Sequence, residues 1–301
     1  MMTAYLESLQ KECITAQQNV SLKKLCSFQI GGNARVVVFP DSTEALCRAV
    51  SLAVYYGLRF FIVGKGSNLL FADEGFDGVI ICTGKVNAIS IIGSSIRAEC
   101  GVSLGTLSRL AHEHSLTGFE FAHGIPGNCG GAVFMNAGAF GHEICEILES
   151  CTYFDARNNR KVSIDASQLQ FSYRHSMFME MPHLIILNAT FRLQPGDMVQ
   201  ISTQMSANMQ ARKERQPLGL PNAGSIFKRP VGVAAGKLID DCGLKGVRVG
   251  GAEVSTKHAG FIVNYNHQAT AQDVLQLMHY IQTTVYETYQ IQLEPEIRYI
   301  V

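Results

Sequence analysis

The segment GIPGNCGGAVFMNAGAFG, residues 124–141, limits the possible folds more than any other part of this sequence. It contains six glycines and three alanines. Glycine adopts backbone angles that other residues avoid and has no Cβ to obstruct a close approach, but ordering it costs more chain entropy. Ordinary helix or strand packing does not need so many small residues together. A flat, extended ligand that carries phosphates is one explanation.

A second glycine turn, VGKGSNLL at residues 63–70, directly follows the short apolar strand RFFIVG. Consecutive backbone N–H groups in a Gly-x-Gly turn form a concavity that suits phosphate. The turn does not fit the dinucleotide-binding fingerprint, because Leu69 stands where a third glycine is required. Each glycine segment alone is more typical of a tight turn than of a ligand site. Together they favour a cofactor with two phosphates, held between two such surfaces.

Charge and cysteine content exclude several classes of protein. Lysine plus arginine equals aspartate plus glutamate at 25 each, so no overall field attracts nucleic acid or an anionic membrane. The nine cysteines contain no CxxC pair, which argues against a zinc site and a disulfide framework. His112 and His114 lie on different faces of a helix and do not form a metal pair. The sequence predicts no metal site.

The sequence shows no pattern typical of a targeting signal. The stretch MMTAYLESLQKEC lacks the basic head and apolar run of a secretory leader. The longest apolar region is interrupted by Gly57 and Arg59 and is too short to cross a bilayer. We therefore expect a cytoplasmic protein with reduced thiols and no membrane partner.

Apolar periodicity predicts mixed helices and short strands. Asp41 and Glu44 form a capping-box-like helix start, Ser103 precedes a second helix, and Thr270 and Asp273 form a capping box before the helix at 270–289. The Pro195-Gly196 turn marks a domain boundary. The remaining predicted elements are strands at 79–83, 95–101, CTYFDA and LIILNATFRL, helices at 197–215, 233–242 and 270–289, and a final strand in IQLEPEIRYIV.

The motifs, taken in order, resemble those of the UDP-N-acetylenolpyruvoylglucosamine reductases. These are flavoenzymes that reduce the enolpyruvyl ether of a UDP-sugar to the lactyl ether during synthesis of bacterial cell-wall precursors. The resemblance covers almost the whole chain, and its motifs are CSFQIGGNA (26–34), GKGSNLL (64–70), GIPGNCGGAVFMNAGAFG (124–141), FSYRHS (171–176), AGSIFKRP (223–230), GGAEVSTKHAGFIVN (250–264) and LEPEIR (293–298).

The resemblance implies an α+β fold in two domains. Residues 1–195 would form an FAD-binding domain of the vanillyl-alcohol-oxidase (PCMH) type, in two α+β subdomains divided near residues 85–100. Residues 196–301 would form an α+β substrate-binding domain, whose last strand, about 291–301, returns toward the active site. The C-terminal part resembles the shorter type of the family, which lacks a tyrosine-bearing lid insertion.

The resemblance also implies the cofactors. FAD would bind without a covalent bond, although Cys129 and His123 make attachment conceivable, and NADPH would be a co-substrate of a monomer. The residues that match the family's cofactor site are Gly64, Lys65, Gly66, Ser67 and Asn68 in one turn and Gly124, Gly127, Asn128, Gly130 and Gly131 in the other. Asn128-Cys129 departs from the family's usual Thr or Ser followed by Val or Ile. Asparagine still donates hydrogen bonds, so we expect altered geometry and retained binding.

Three further residues match the family's catalytic set. The implied reaction transfers a hydride from N5 of reduced FAD to the enolpyruvyl methylene, and negative charge develops at the adjacent carbon. Arg174 would hold the substrate carboxylate, Ser225 would donate a proton to the carbon, and Glu296, kept protonated, would donate a hydrogen bond to the carboxylate. Lys228 would bind the UDP diphosphate.

Alternatives remain open for each of these residues. Arg174 in a surface salt bridge, Ser225 in an ordinary turn and Lys228 as a solvated lysine are the common fates of such side chains. Glu294 is the fallback for Glu296. At the level of function, the alternatives are another FAD-dependent oxidoreductase on the same scaffold and a nucleotide-binding regulatory module without catalysis.

Overall fold

The computed structural model describes all 301 residues, which pack into two compact units. Unit 1 comprises Met1–Gln18, Val36–Lys65 and Gly78–Gln210, and unit 2 comprises Asn19–Arg35, Gly66–Asp77 and Ala211–Val301. Unit 2 therefore contains two segments from the first quarter of the chain. The functional division at residues 195 and 196 remains a proposal.

Seven α-helices form, in chain order α1 (Met2–Lys11), α2 (Thr43–Tyr55), α3 (Leu104–Glu113), α4 (Cys129–Phe134), α5 (Met198–Arg215), α6 (Ala235–Asp241) and α7 (Ala271–Tyr289). The strands are β1 (Thr15–Ser21), β2 (Asn33–Phe39), β3 (Phe60–Val63), β4 (Leu69–Phe71), β5 (Phe76–Cys82), β6 (Ile89–Ile92), β7 (Ser95–Glu99), β8 (Leu116–Thr117), β9 (Gly138–Ala139), β10 (His142–Glu143), β11 (Leu148–Asp155), β12 (Arg160–Asp165), β13 (Leu184–Arg192), β14 (Gln194–Pro195), β15 (Asn222–Ser225), β16 (Arg248–Val249), β17 (Ala252–Val254), β18 (Phe261–Asn264) and β19 (Arg298–Ile300).

Unit 1 is built around an antiparallel sheet of the order β12-β11-β13-β7-β6. Its central strand β13, which reads LIILNATFR, is buried along most of its length. Helix α4 packs against this strand. A smaller sheet has the order β1-β2-β5-β3, and its strands β3 and β5 are parallel. Helix α4 is part of the glycine-rich segment 124–141, so its packing against β13 fixes the position of that segment in unit 1.

Helix starts follow local side-chain chemistry. Ser103 caps α3 by accepting a hydrogen bond from the Thr106 amide, as the sequence predicts. The predicted start of α2 at Asp41 is wrong by one residue, because the Ser42 hydroxyl accepts from the Ala45 amide and forms the cap. The helix begins at Thr43, so only residue 42 is spaced correctly to reach that amide.

Unit 2 contains an antiparallel sheet of the order β15-β18-β17-β16, covered by α7. The capping box that starts α7 is formed by Thr270 and Asp273, as the sequence predicts. In addition, β4 pairs in parallel with β19. The predicted final strand is confirmed only over Arg298–Ile300. Before this strand the chain forms only a single β-bridge, between Pro295 and Phe227.

The fold class is α+β, as the sequence predicts, with mainly antiparallel sheets and separate helices. No helix combines the length and the apolar character that crossing a membrane requires.

Candidate active site

In unit 1 the end of β3 lies beside the turn that precedes α4. A Cβ placed on Gly64 would be 3.5 Å from Asn128 Cβ and 3.7 Å from its Nδ2. The first glycine of one predicted turn and the asparagine of the other are therefore neighbours, although 64 positions separate them in the sequence. This adjacency is what two segments that contact one ligand require.

The amides of the 124–131 turn fall into two groups. Those of Gly127, Cys129 and Gly130 donate to the carbonyl oxygens of Ile125, Val102 and Cys100, at 2.9, 2.7 and 2.9 Å. These three N–H groups fix the turn to the neighbouring chain, so they are not available to a phosphate.

The amides of Asn128 and Gly131 have no such acceptor among the backbone hydrogen bonds. The Asn128 side chain does not cap α4 either. A Cβ on Gly131 would have no heavy atom within 4 Å, so open space lies in front of this residue. The open space at Gly131 and the two backbone amides without a backbone acceptor fit a phosphate group such as the FAD pyrophosphate, while the Asn128 side chain is buried beside Gly64.

Two neighbouring residues support this turn rather than line it. A Cβ on Gly130 would lie 2.8 Å from Cys100 Cβ, so close packing requires glycine at this position. The Cys129 side chain is completely buried and its Sγ lies 3.7 Å from the Ala98 carbonyl oxygen. Burial raises the pKa of this thiol well above its ordinary value. The Cys129 sulfur is thus a core group without the properties of a nucleophile.

In unit 2 the turn at Gly66 packs on the motif CSFQIGG. Gly66 has φ +62°, and a Cβ there would clash with the Leu25 carbonyl oxygen. The Ser27 amide donates to the Gly66 carbonyl oxygen at 3.1 Å. Only glycine satisfies both the backbone angle and the contact.

Asn68 connects this turn to the C-terminal strand. Its Nδ2 donates to the Glu296 carbonyl oxygen at 3.0 Å, and the Arg298 amide donates to the Asn68 carbonyl oxygen at 3.0 Å. The side-chain amide of Asn68 therefore has a structural role, whereas sequence reasoning assigned it to a phosphate.

Ser225 and Glu296 lie on adjacent backbone segments of unit 2. The Glu296 amide donates to the Ile226 carbonyl oxygen at 2.7 Å, and the Lys228 amide donates to the Glu294 carbonyl oxygen at 2.8 Å. The hydroxyl of Ser225 forms no hydrogen bond with another group of the protein. The structure therefore brings two of the three predicted catalytic residues together and leaves the serine hydroxyl available.

The two glutamates of LEPEIR differ in their surroundings. Glu294 is exposed and accepts a hydrogen bond of 2.6 Å from Lys228 Nζ, whereas Glu296 is half-buried. Pro295 separates them, and both lie outside the regular strand, which begins at Arg298. Lys228 is thus part of an ion pair rather than simply solvated.

Arg174 belongs to unit 1 and is held in a tight turn. Ser172 and His175 close this turn with backbone hydrogen bonds in both directions, of 3.2 and 3.1 Å. The Arg174 side chain is 16% exposed; its Nη2 donates to the Gly138 carbonyl oxygen at 3.0 Å and its Nη1 lies 3.4 Å from Glu143 Oε1. The residue is therefore not an exposed surface ion pair.

Sequence reasoning missed several polar residues that shape these segments. Asn222 accepts from the Gly224 amide through its Oδ1 at 3.0 Å, and its carbonyl oxygen accepts from Ser27 Oγ at 2.6 Å. An asparagine two residues before a glycine is a turn signal, and it would have identified Asn222 from the sequence. Asn136 and Glu143 gave no local signal, because their partners are distant in sequence.

Two family models match parts of the chain. Residues 34–159 match the FAD binding domain, and residues 216–300 match the C-terminal domain of UDP-N-acetylenolpyruvoylglucosamine reductase. With the fold and the paired glycine turns, these matches define an FAD-dependent oxidoreductase whose cofactor domain is of the PCMH type.

Individual relatives establish the family. The chain is 46% identical to a UDP-N-acetylenolpyruvoylglucosamine reductase of Caldicellulosiruptor bescii, over 93% of this chain and 88% of the relative. The corresponding enzyme of Clostridium novyi is 43% identical over 98% and 95%. The crystal structure of the reductase from Thermus caldophilus superposes with a TM-score of 0.81 at 31% identity, covering 96% of this chain and 99% of that one. The chain belongs to the UDP-N-acetylenolpyruvoylglucosamine reductase family.

Proposed function

We propose that this protein reduces UDP-N-acetyl-3-O-(1-carboxyvinyl)-glucosamine to UDP-N-acetylmuramate with NADPH, in peptidoglycan precursor synthesis. The observation that carries the proposal is the backbone pairing of the segment after Ser225 with Glu296. This pairing joins the segment that carries the Ser225 hydroxyl to the segment that carries the Glu296 carboxyl group. The relatives of the chain are UDP-N-acetylenolpyruvoylglucosamine reductases. FAD, when bound, supplies the hydride chemistry.

The residues proposed to hold FAD fall into donors and supports. Asn128 and Gly131 would donate to the pyrophosphate, with Gly64 beside Asn128. Lys65, Gly66, Ser67 and Gly124 are the other residues proposed for this cofactor. Gly127 and Gly130 instead shape the turn, since their amides are engaged, and Asn68 anchors the C-terminal strand. Buried Cys129 supports non-covalent binding.

The protein's own groups have separate roles in the proposed reaction. Arg174 is a permanent cation with planar donors and holds the substrate carboxylate while charge spreads into it. Ser225 donates a proton to the carbon next to the one that is reduced. Glu296, in its protonated form, donates a hydrogen bond to the substrate carboxylate. Lys228 leaves its ion pair with Glu294 and binds the UDP diphosphate of the substrate.

The test follows flavin absorption in the purified protein. NADPH should bleach the flavin, and the enolpyruvyl UDP-sugar should restore the oxidised spectrum without oxygen. Bleaching without restoration by the sugar would favour another FAD-dependent oxidoreductase on the same scaffold. A protein that binds no flavin would overturn the proposal.

A further inference from the structure

We propose that Asn136 and Glu143 are positioning residues for the Arg174 guanidinium. The inference rests on the catalytic role of Arg174 in the proposed function and concerns unit 1 alone. It assigns a task to two polar residues that do not belong to the predicted catalytic set.

The backbone at Arg174 needs outside support. Its φ is +55°, a region that costs a non-glycine residue free energy and persists only when the surroundings hold it. The turn is fixed at both ends: Asn136 Nδ2 donates to the Ser172 carbonyl oxygen at 3.0 Å, and Ser176 Oγ donates to the Phe134 carbonyl oxygen at 2.5 Å.

Asn136 connects three segments through its side chain. It is completely buried. In addition to Ser172, its Nδ2 donates to Glu143 Oε2 at 2.8 Å, and its Oδ1 accepts from the Cys145 amide at 3.0 Å. A buried amide with both ends satisfied is a rigid link, here between the exit of α4, the β10 segment and the turn that carries Arg174.

Glu143 transmits this rigidity to the guanidinium. One carboxylate oxygen is fixed by Asn136, and the other faces Arg174 Nη1 at 3.4 Å. The Gly138 carbonyl oxygen accepts from Nη2. Two groups that contact the Nη atoms, Glu143 Oε1 and the Gly138 carbonyl oxygen, come from the chain between Asn136 and Glu143. That chain therefore contributes to the direction of the guanidinium plane, together with the Tyr173 ring, whose centroid lies 4.8 Å from Arg174 Cζ. A fixed plane matters, since misplacement of a positioned group by about 1 Å can cost about 100-fold in rate.

The test compares half-reactions of the FAD-loaded protein. Glu143→Gln keeps the size and the acceptor for Asn136 but removes the charge opposite Arg174. Glu149→Gln is the matched control, because Glu149 pairs with Arg192 on the exposed side of the same unit. We expect Glu143→Gln to slow flavin reoxidation by the enolpyruvyl UDP-sugar by about 10- to 100-fold, with bleaching by NADPH and thermal unfolding close to those of the control.

Chemical rescue separates positioning from a structural effect. In Arg174→Ala, added guanidinium chloride should raise the slow rate of flavin reoxidation, because Glu143 and the Gly138 carbonyl oxygen can still bind a guanidinium ion. The rescue should be lost in Arg174→Ala/Glu143→Gln. Asn136→Ser, which shortens the link, should weaken rescue in the same way.

The outcomes are distinguishable. The positioning role is refuted if flavin reoxidation is slow in Arg174→Ala but as fast in Glu143→Gln as in Glu149→Gln. It is also refuted if guanidinium rescues Arg174→Ala and Arg174→Ala/Glu143→Gln equally. In both cases the proposed function stands. If Arg174→Ala itself reoxidises like the parent, the role of Arg174 in the proposed function fails, and the inference fails with it.

Discussion

The main-chain amide of Glu296 donates a hydrogen bond of 2.7 Å to the carbonyl oxygen of Ile226, the residue after Ser225. Phe227 and Pro295 form a β-bridge at the same place. Two motifs about seventy positions apart are therefore joined through their backbones. Side-chain substitutions at Ser225 and Glu296 leave this backbone pairing intact, so they can test chemistry separately from folding.

The first prediction concerns the proton donor. Ser225→Ala should reduce flavin reoxidation by the enolpyruvyl UDP-sugar by about 10²- to 10⁴-fold, the usual contribution of a positioned acid. Bleaching by NADPH should be unchanged. Stopped-flow absorbance measures both steps, and Ser206→Ala, on the exposed face of α5, is the control. A Ser225→Ala protein that turns over like this control would remove the serine from the mechanism.

The second prediction distinguishes the two glutamates. Glu296→Ala should lower the reoxidation rate by about 10²- to 10³-fold, the effect of losing one donor to a developing charge. Glu294→Ala removes only the partner of Lys228, so its effect should stay below about fivefold, the scale of a surface ion pair. The reverse order of the two rates would assign the role to Glu294.

The third prediction tests the cofactor site at Gly131. A methyl group there contacts no protein atom, so Gly131→Ala should leave the free energy of unfolding of the apoprotein unchanged or raise it by about 0.5–1 kcal/mol. It should weaken FAD binding at least tenfold, because the methyl group enters the space assigned to the pyrophosphate. Titration of apoprotein with FAD, followed by flavin fluorescence, measures the affinity.

The control for this experiment is Gly84→Ala, which also meets no protein atom and lies on an exposed turn. Its FAD affinity should equal that of the parent. Equal affinities for Gly131→Ala and Gly84→Ala would place the pyrophosphate elsewhere.

The fourth prediction concerns alkaline pH. Burial raises the pKa of the Cys151 thiol from its ordinary value of 9.0 to about 12. Above pH 9 the unfolded chain releases this proton while the folded chain keeps it, so the stabilisation is fully present below pH 9 and is lost as the pH rises toward 12. The loss per thiol is about 1.4 kcal/mol per pH unit.

Urea unfolding at several pH values from 8 to 11 measures this slope. Cys151→Ala should flatten the decline above pH 9 relative to the parent, whatever its effect on stability at pH 8. Cys13→Ala, at an exposed thiol, should leave the slope unchanged. Parallel curves for all three proteins would show that the Cys151 thiol does not stay protonated in the folded state.

Short-range signals in the sequence predicted much of the fold. Ser103 and the Thr270–Asp273 box start their helices as predicted, because a cap depends on a side chain and an amide three residues apart. Asp41 was one position early, since neighbouring polar residues compete for the same cap. The final strand is shorter than predicted, covering only Arg298–Ile300. These errors are small because the interactions are local.

The candidate site was predictable in its residue types but not in its contacts. The glycine turns were found from composition, yet the engaged amides of Gly127 and Gly130 and the structural bond of Asn68 depend on chain segments far away in sequence. The same holds for Asn136, whose partners Glu143 and Ser172 belong to other segments. No spacing rule relates such partners.

The sequence by itself determined the helices, the turns that need glycine and the family motifs, because backbone sterics and capping act over a few residues. Only the tertiary structure decided which amide faces open space, which glutamate lies beside Ser225 and which carboxylate faces Arg174. Those choices follow from long-range packing, where each buried polar group takes the partner that the fold brings within hydrogen-bond distance.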